Sequence, residues 1–450
     1  MRPELQQSLK AIQYEQMTPI QSLSLSPILA GEDVLAQAET GSGKTAAFAI
    51  GVLNKLNIAL LKTQALVICP TRELADQVAT EMRRLASSLA NTRVVTLCGG
   101  KPMHDQLASL KHEPHVVVGT PGRLRKHLSK GTLRLENVQT LVLDEADRML
   151  DMGFSEDIMY ILDATEPDRQ TLLFSATYPS EVVQISKAIQ HEPREVRVEL
   201  SENTLKIEQV FLFAREETKT TSLLRTLERY NPDNAIIFCN RKTTVQEVCD
   251  RLRSEGLYVR ALHGDLDQQQ RDEALMLFAN QSISYLVATD VAARGLDISA
   301  LDAVINYDLT PDPETYQHRI GRTGRAGLEG LAVTLVNHDE MHHIESLQRY
   351  LKKTISFNEL KKTGKQEVQR TPPATMTILI IAGKKDKIRP GDIVGALTAD
   401  SGLTSTDIGK ISVLPKVSYV AISHEKAQLA LQTLNEGRIK KRKVRAKIIR

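Results

Sequence analysis

The chain has 450 residues, 41% hydrophobic and 25% charged, with 58 Lys and Arg against 55 Asp and Glu. That length suits two or three domains, and that composition excludes a disordered, collagenous or low-complexity polymer. No run of about 18 apolar residues occurs and Met1-Arg2-Pro3-Glu4 opens no apolar segment, so neither a membrane span nor a secretory signal is expected.

The charge is unevenly distributed. Residues 371–450 hold 15 Lys and Arg against 6 Asp and Glu, a net +9, while the first 370 hold 43 against 49, a net −6. A small basic module on a mildly acidic body reads as a polyanion-binding element, because each cation near a phosphate releases condensed counterions; a solubilising tail is the plainer alternative. Cys69, Cys98, Cys239 and Cys249 show no CxxC spacing, and three lie in or beside apolar runs. Buried, reduced thiols of a cytoplasmic protein are expected rather than disulfides or a zinc site. With no Trp and only 4% aromatics, an extended base-stacking platform is not available.

In chain order, continuous apolar runs at 34–36, 65–69, 116–118, 141–143 and 172–174 predict buried strands, with helical spacers such as 71–85 and 155–162 between them. A second series follows at 235–238, 285–288 and 303–305, with a helix at 245–253. Strand–helix alternation in two blocks predicts two tandem α/β domains with parallel sheets, 1–203 and 204–355, and no repeat between them is visible in the sequence. Residues 356–374 read as a linker. From 375 to 450 the order becomes β-α-β-β-α-β, with strands at 377–381, 408–413, 417–422 and 444–449 and helices at 391–399 and 424–434. That is the plan of a small α+β domain of ferredoxin-like or RRM type.

Ala38-Glu39-Thr40-Gly41-Ser42-Gly43-Lys44-Thr45 follows a strand and precedes a helical run, the context a P-loop requires, with Ala38 where the first Gly usually stands. Backbone N–H groups of such a loop converge on phosphate oxygens at the positive end of a helix. Lys44 would reach the β- and γ-phosphates and the Thr45 hydroxyl would ligate Mg²⁺. About 100 residues on, Leu141-Val142-Leu143-Asp144-Glu145-Ala146-Asp147 ends an apolar strand in adjacent carboxylates. Asp144 would hold the metal and Glu145 would orient and deprotonate the attacking water. Together the two motifs predict an NTPase.

Asp144-Glu145-Ala146-Asp147 resembles the signature of the DEAD-box RNA helicases. Thr18-Pro19-Ile20-Gln21, Pro70-Thr71-Arg72-Glu73-Leu74-Ala75, Gly99-Gly100, Thr120-Pro121-Gly122-Arg123 and Ser175-Ala176-Thr177 follow that family's order. So do Ile237–Asn240, His263-Gly264-Asp265, Ala288-Thr289-Asp290 through Ala293-Arg294-Gly295-Leu296-Asp297, and His318-Arg319-Ile320-Gly321-Arg322-Thr323-Gly324-Arg325. The resemblance spans about 310 residues. It implies RecA-like domains and an ATP-dependent RNA helicase that unwinds short duplexes. Gln21 would read adenine with Tyr14 beside it, Gly295 and Asp297 would bind nucleotide (Asp297 at the ribose), and Arg322 and Arg325 would meet the γ-phosphate, Arg325 as arginine finger. Asp147, Ser175, Thr177 and His318 would couple nucleotide state to RNA. RNA would be met by Arg72, Gly99, Gly100, Thr120, Gly122 and Arg123, and by Gly264, Arg271, Thr289 and Asp290. One departure stands out: where the family opens its adenine-side motif with Gly-aromatic, this chain has Gln13-Tyr14.

The C-terminal module resembles that of the DbpA subgroup in 383–393 and 407–411. This implies recognition of a 23S ribosomal RNA hairpin and tethering to the pre-50S particle. An RRM sheet normally stacks bases on aromatics; here the third strand offers only Tyr419, which reads equally well as a half-buried sheet residue. Recognition is therefore expected to lean on Lys384, Lys385, Lys387, Arg389 and the run 438–445. A monomer is the default. An ATP-gated RNA clamp or assembly scaffold that does not unwind, and a DNA translocase on the same domain pair, are the other classes the motifs allow.

Overall fold

A computed structural model describes residues 1–38, 42–198, 207–214, 219–293, 301–324, 329–358, 372–399, 402–440 and 442–449. They divide into two units, one ending at residue 198 and one running from 207 through the C-terminal module. The first unit is built on β1 (Val34–Gln37), β2 (Ala65–Ile68), β3 (Val94–Leu97), β4 (Val116–Gly119), β5 (Thr140–Asp144), β6 (Gln170–Ser175) and β7 (Arg194–Arg197). Their order across the sheet is β3-β4-β2-β5-β6-β1-β7, all parallel. Successive side chains of a strand point to opposite faces, and both faces are covered. Val34, Ala36, Val67, Val116, Val118, Val142 and Phe174 join one core, while Leu35, Leu66, Ile68, Val117, Leu141, Leu143 and Leu173 join the other. This double burial is why the strands read as unbroken apolar runs.

The second unit repeats the plan with β8 (Ile207–Phe213), β9 (Ala235–Phe238), β10 (Val259–Leu262), β11 (Tyr285–Ala288), β12 (Ala303–Asn306), β13 (Gly330–Val336) and β14 (Phe357–Asn358). Its order, β10-β11-β9-β12-β13-β8-β14, is the order of the first sheet counted from its own first strand, and it is again parallel throughout. The expected strands and helices are present to within a few residues. The apolar-run criterion does not anticipate β3, β7, β8, β10, β13 or β14. Edge strands explain part of this: in β7, Arg194-Glu195-Val196-Arg197, only Val196 is buried, and charged edges discourage further pairing. Phe357–Asn358 pairs with β8, so the second sheet takes two residues from the expected linker. The expected 203/204 boundary and residues 359–371 of the linker lie outside the described residues.

The C-terminal module consists of β15 (Thr375–Ile380), helix Pro390–Thr398, β16 (Ile408–Val413), β17 (Ser418–Ser423), helix Ala427–Glu436 and β18 (Ala446–Ile449). Its antiparallel sheet runs β16-β17-β15-β18. Ile378, Ile380, Val420 and Ile422 pack under the two helices with Ile393, Leu397, Ala430 and Leu434. The opposite face is also closed. Asn280 Nδ2 donates to Thr377 Oγ1 at 2.9 Å, and the Ser282 hydroxyl meets Thr375 Oγ1 at 3.0 Å and Thr377 Oγ1 at 2.8 Å. The module thus docks its sheet on the turn that precedes β11. All four cysteines are buried and unpaired. Among the described residues, no helix is long and apolar enough to cross a membrane.

Candidate nucleotide and RNA sites

Helix Pro3–Ala11 ends in a Schellman turn: Gln13 N donates to Lys10 O at 3.0 Å and Tyr14 N to Leu9 O at 3.0 Å. That turn needs a left-handed residue, and Gln13 supplies it at φ 54°. The family's Gly at this position now has a backbone reason, and Gln13 bears the Cβ strain that Gly avoids. The turn delivers Tyr14 to Gln21, whose Nε2 donates to Tyr14 Oη at 2.7 Å and to Gly43 O at 2.9 Å, while its Oε1 accepts from Thr18 N at 2.9 Å. Burial pushes the Tyr14 phenol up, with the Gln21 hydrogen bond pulling against it. Gln21 therefore clamps the phosphate loop to the adenine-side helix Pro19–Ala30.

Gly43 starts helix Lys44–Lys55 at φ 93°, and a Cβ there would stand 2.5 Å from Gln21 Nε2 and 2.9 Å from Thr18 Oγ1. Only glycine fits both the turn and the clamp. The next residue, Lys44, is buried, with Nζ 3.3 Å from Asp144 Oδ1 at the end of β5. Neither Nζ nor either Asp144 oxygen has a hydrogen-bond partner, although all three are shielded from solvent. Burial lowers the Lys44 ammonium, but the charges of Asp144, Glu145 and Asp147 outweigh it and carry the group above its ordinary value. Burial pushes the Asp144 carboxyl up, against the pull of Lys44 and with a further push from Glu145. Both groups are shifted upward, and the excess of acid contributes to each: three buried carboxylates, Asp144, Glu145 and Asp147, face two buried cations, Lys44 and Arg148. Buried charged atoms without hydrogen-bond partners and a local shortage of positive charge fit a triphosphate with a divalent cation. Thr45, half-buried beside Lys44, and Asp144 are the groups that would hold the metal.

Asp147 joins this site to the turn after β6. Its Oδ2 accepts from Ala176 N at 3.2 Å, Thr177 N at 2.9 Å and Thr177 Oγ1 at 2.9 Å, while Asp147 N donates to Ser175 Oγ at 3.2 Å. The three coupling candidates of the first unit are thus in direct contact. Glu145, at φ 55°, precedes helix Ala146–Asp151, and its Oε2 accepts from Arg148 Nη1 at 2.7 Å.

Because the sheet is parallel, every one of these loops leaves the same edge, and the RNA candidates leave it too, after the neighbouring strands β2, β3 and β4. Arg72 opens helix Arg72–Leu85 behind its Thr71 cap and lays its guanidinium on Gly99-Gly100. Gly100 has φ 72°, and a Cβ there would run into that guanidinium. Arg123 Nη1 donates to Lys101 O at 3.0 Å, and Lys101 pairs with Asp76 at 2.7 Å. Thr120 is buried at the start of helix Pro121–Ser129, and Gly122 is exposed beside it. These six residues therefore lie on one tied set of loops. Sheet order places the RNA candidates on one half of the edge (β3, β4, β2) and the nucleotide candidates on the other (β5, β6, β1).

In the second unit Gly264, exposed with open space around it, follows β10, and Thr289 and Asp290 follow β11. Arg271 lies on helix Gln268–Ala279. Asp290 is not a free RNA contact: both its oxygens accept from Arg319, Nε and Nη2, at 2.7 Å. Arg319, 1% exposed, also donates to Asn240 Oδ1 at 2.8 Å, Asp308 O at 2.7 Å and Asn306 Oδ1 at 3.3 Å, and stacks over Phe238. Sequence reading did not single out Arg319 or Arg148; the second basic residue of His318-Arg319 was the available signal. His318 sits in the last turn of helix Pro313–Ile320, and Arg322 is buried within the unit. Thr40, Gly41, Gly295, Asp297 and Arg325 lie outside the described residues; Ser42 is half-buried at the loop's end.

In the module, Lys384, Lys385, Lys387 and Arg389 are all exposed. Their loop is tied to the other basic loop: Lys440 Nζ donates to Lys387 O at 3.2 Å and pairs with Asp392 at 3.3 Å, and Arg442 pairs with Asp386. Tyr419 corrects the sequence expectation. It is 4% exposed, opposite Leu379 on the docked face, and burial together with Glu273 and Asp272 pushes its phenol up. The docking that closes the sheet face removes Tyr419 as a stacking surface.

Comparison with known proteins agrees with this layout. Residues 18–185 match the DEAD/DEAH box helicase family, 218–327 the helicase conserved C-terminal domain, and 377–448 the DbpA RNA binding domain. The chain is 47% identical to the ATP-dependent RNA helicase DbpA of Escherichia coli over 443 residues, covering 98% of this chain and 96% of that protein. It is 44% identical to the DEAD-box ATP-dependent RNA helicase CshA of Geobacillus kaustophilus, covering 83% and 77%. Among solved structures, S. cerevisiae Dbp5 bound to RNA and ADP BeF3 matches with TM-score 0.72 at 30% identity over 80% of this chain and 94% of that one. Three ordered domain matches and near-full-length identity to a relative place the chain in the DEAD-box family of ATP-dependent RNA helicases, in the group that carries a DbpA RNA-binding domain.

Proposed function

We propose that this helicase uses ATP to separate short RNA duplexes near a 23S ribosomal RNA hairpin during assembly of the large subunit, as a monomer in the cytoplasm. The observation that carries the reading is the buried Lys44–Asp144 ion pair, whose charged atoms have no hydrogen-bond partner, on the same sheet edge as the tied Arg72–Gly100 surface. Bound Mg²⁺, on Asp144 and Thr45, would neutralise phosphate charge. Lys44 holds the terminal phosphates and Glu145 takes the proton of the attacking water. Asp147 transmits the state of the site through Ser175 and Thr177. Arg322 and Arg325 of the second unit bring positive charge to the transferred group, where it stabilises the transition state. Arg72, Gly100 and Arg123, with Gly264, Arg271 and Thr289, hold one strand by its backbone, which gives sequence-blind binding. The exposed cross-tied loops with Lys384, Lys385, Lys387 and Arg389 supply hairpin preference, and docking of the module on the second unit keeps the hairpin at high effective concentration.

Glu145→Gln tests the chemistry: ATP binding should persist while RNA-stimulated turnover falls by about 100-fold or more. Hydrolysis measured with the hairpin fragment, unrelated RNA and DNA of equal length, beside strand displacement of a short adjoining duplex, tests the rest. Equal stimulation by DNA would overturn the RNA assignment, and hydrolysis without displacement would make the protein an RNA clamp.

A further inference from the structure

Arg148 has no role in the reading above, yet its guanidinium is buried at the centre of the site, 4% exposed. A guanidinium out of water costs several kcal/mol unless it is paired and hydrogen-bonded. Its ion-pair partner is Glu145, with the donor–acceptor distance of 2.7 Å typical of a charge-assisted bond and both side chains buried. The two residues sit three apart around a helix of six residues, and Glu145 carries a left-handed backbone that sets the direction of its side chain. Arg148 also touches the coupling residue: its backbone N donates to Asp147 Oδ1 at 3.0 Å, while Asp147 Oδ2 holds Ala176 and Thr177. An unbroken chain of contacts therefore runs from the turn after β6, through Asp147 and Arg148, to the Glu145 carboxylate.

We propose that Arg148 is a positioning residue for hydrolysis, fixing the Glu145 carboxylate through their buried ion pair and tying its place to the Ser175–Thr177 turn. The inference rests on Glu145 as the group that orients the attacking water. A carboxylate held by a buried guanidinium presents its oxygens in a set direction, and such orientation contributes to rate without contributing to substrate binding.

The test compares Arg148→Gln, Arg148→Lys, Glu145→Gln and the Arg148→Gln/Glu145→Gln double variant of the full chain, with kcat, KM for ATP and half-saturation by single-stranded RNA measured for each. Arg148→Gln is expected to lower kcat about tenfold or more with both binding parameters within about twofold, and Arg148→Lys to recover part of the loss. In the double variant the loss should stay within about twofold of Glu145→Gln alone, because Arg148 acts only through Glu145. Losses that multiply in the double variant, or a KM for ATP rising in step with the fall in kcat, would overturn the proposal. If Arg148→Gln does not fold, Arg148→Lys decides, and normal kcat there rejects a role for the guanidinium. Full turnover in Glu145→Gln sinks the underlying reading of the base; normal Arg148→Gln beside an inactive Glu145→Gln sinks this inference alone.

Discussion

The two large sheets share one strand order and differ in what stands at their edges. In the first unit the strand-edge charges Lys44 and Asp144 are buried without hydrogen-bond partners. In the second, Arg319 and Asp290 form a bidentate pair, and Arg319 spends its remaining donors on Asn240, Asn306 and Asp308. The first edge leaves charged atoms without hydrogen-bond partners, as the proposed triphosphate site requires; the second uses the same kind of groups to hold its loops. A common scaffold thus gives chemistry on one side and rigidity on the other, and hydrogen-bond satisfaction tells the two apart.

Single substitutions should break this comparison in opposite ways. Asp144→Asn should lower ATP turnover by about 1,000-fold, ~4 kcal/mol of barrier, while changing stability by no more than about 1 kcal/mol, since the burial cost of the Asp144 charge offsets its pair with Lys44, which keeps Glu145 and Asp147 nearby. Steady-state hydrolysis and thermal unfolding on one preparation check both halves. Arg319→Lys should do the reverse at first, destabilising the second unit by about 3 kcal/mol because Lys cannot supply the fork that Asp290 and Asn240 accept. Calorimetry would register this as a drop of roughly 6–12 °C in that unit's midpoint; an unchanged midpoint would show the network to be dispensable.

The smallest expected effect lies at the adenine-side turn. Gln13→Gly should stabilise the first unit by about 0.5–1 kcal/mol, as relief of the left-handed Cβ strain exceeds the added entropy of the unfolded glycine. Denaturant midpoints of the two proteins measure it, and a destabilised glycine variant would mean that the Gln13 side chain contributes more than its backbone strain costs.

Most of the nucleotide site was legible because its chemistry is local. The residues from Ser42 to Thr45 and from Asp144 to Asp147 are contiguous, and a glycine-rich turn or an apolar strand ending in acids announces itself within eight residues. Arg148 and Arg319 were not legible, because a buried arginine and an exposed one have the same symbol in a sequence and only their partners distinguish them. Tyr419 failed for a related reason. Alternation placed it on the sheet face opposite the module's helices, but whether water, RNA or another domain covers that face depends on Asn280 and Ser282, about 140 residues upstream.

What the sequence settled on its own was the presence of three domains, their order and the reaction class, since period, turn chemistry and motif spacing all act over short stretches of chain. The identity of the two sheet orders, the division of one edge between nucleotide and RNA candidates, and the closing of the module's open face were decided in three dimensions. Strand neighbours in a parallel sheet are joined by crossovers of many residues, so which loops come to lie side by side depends on how helices pack on both faces, and no local pattern records it.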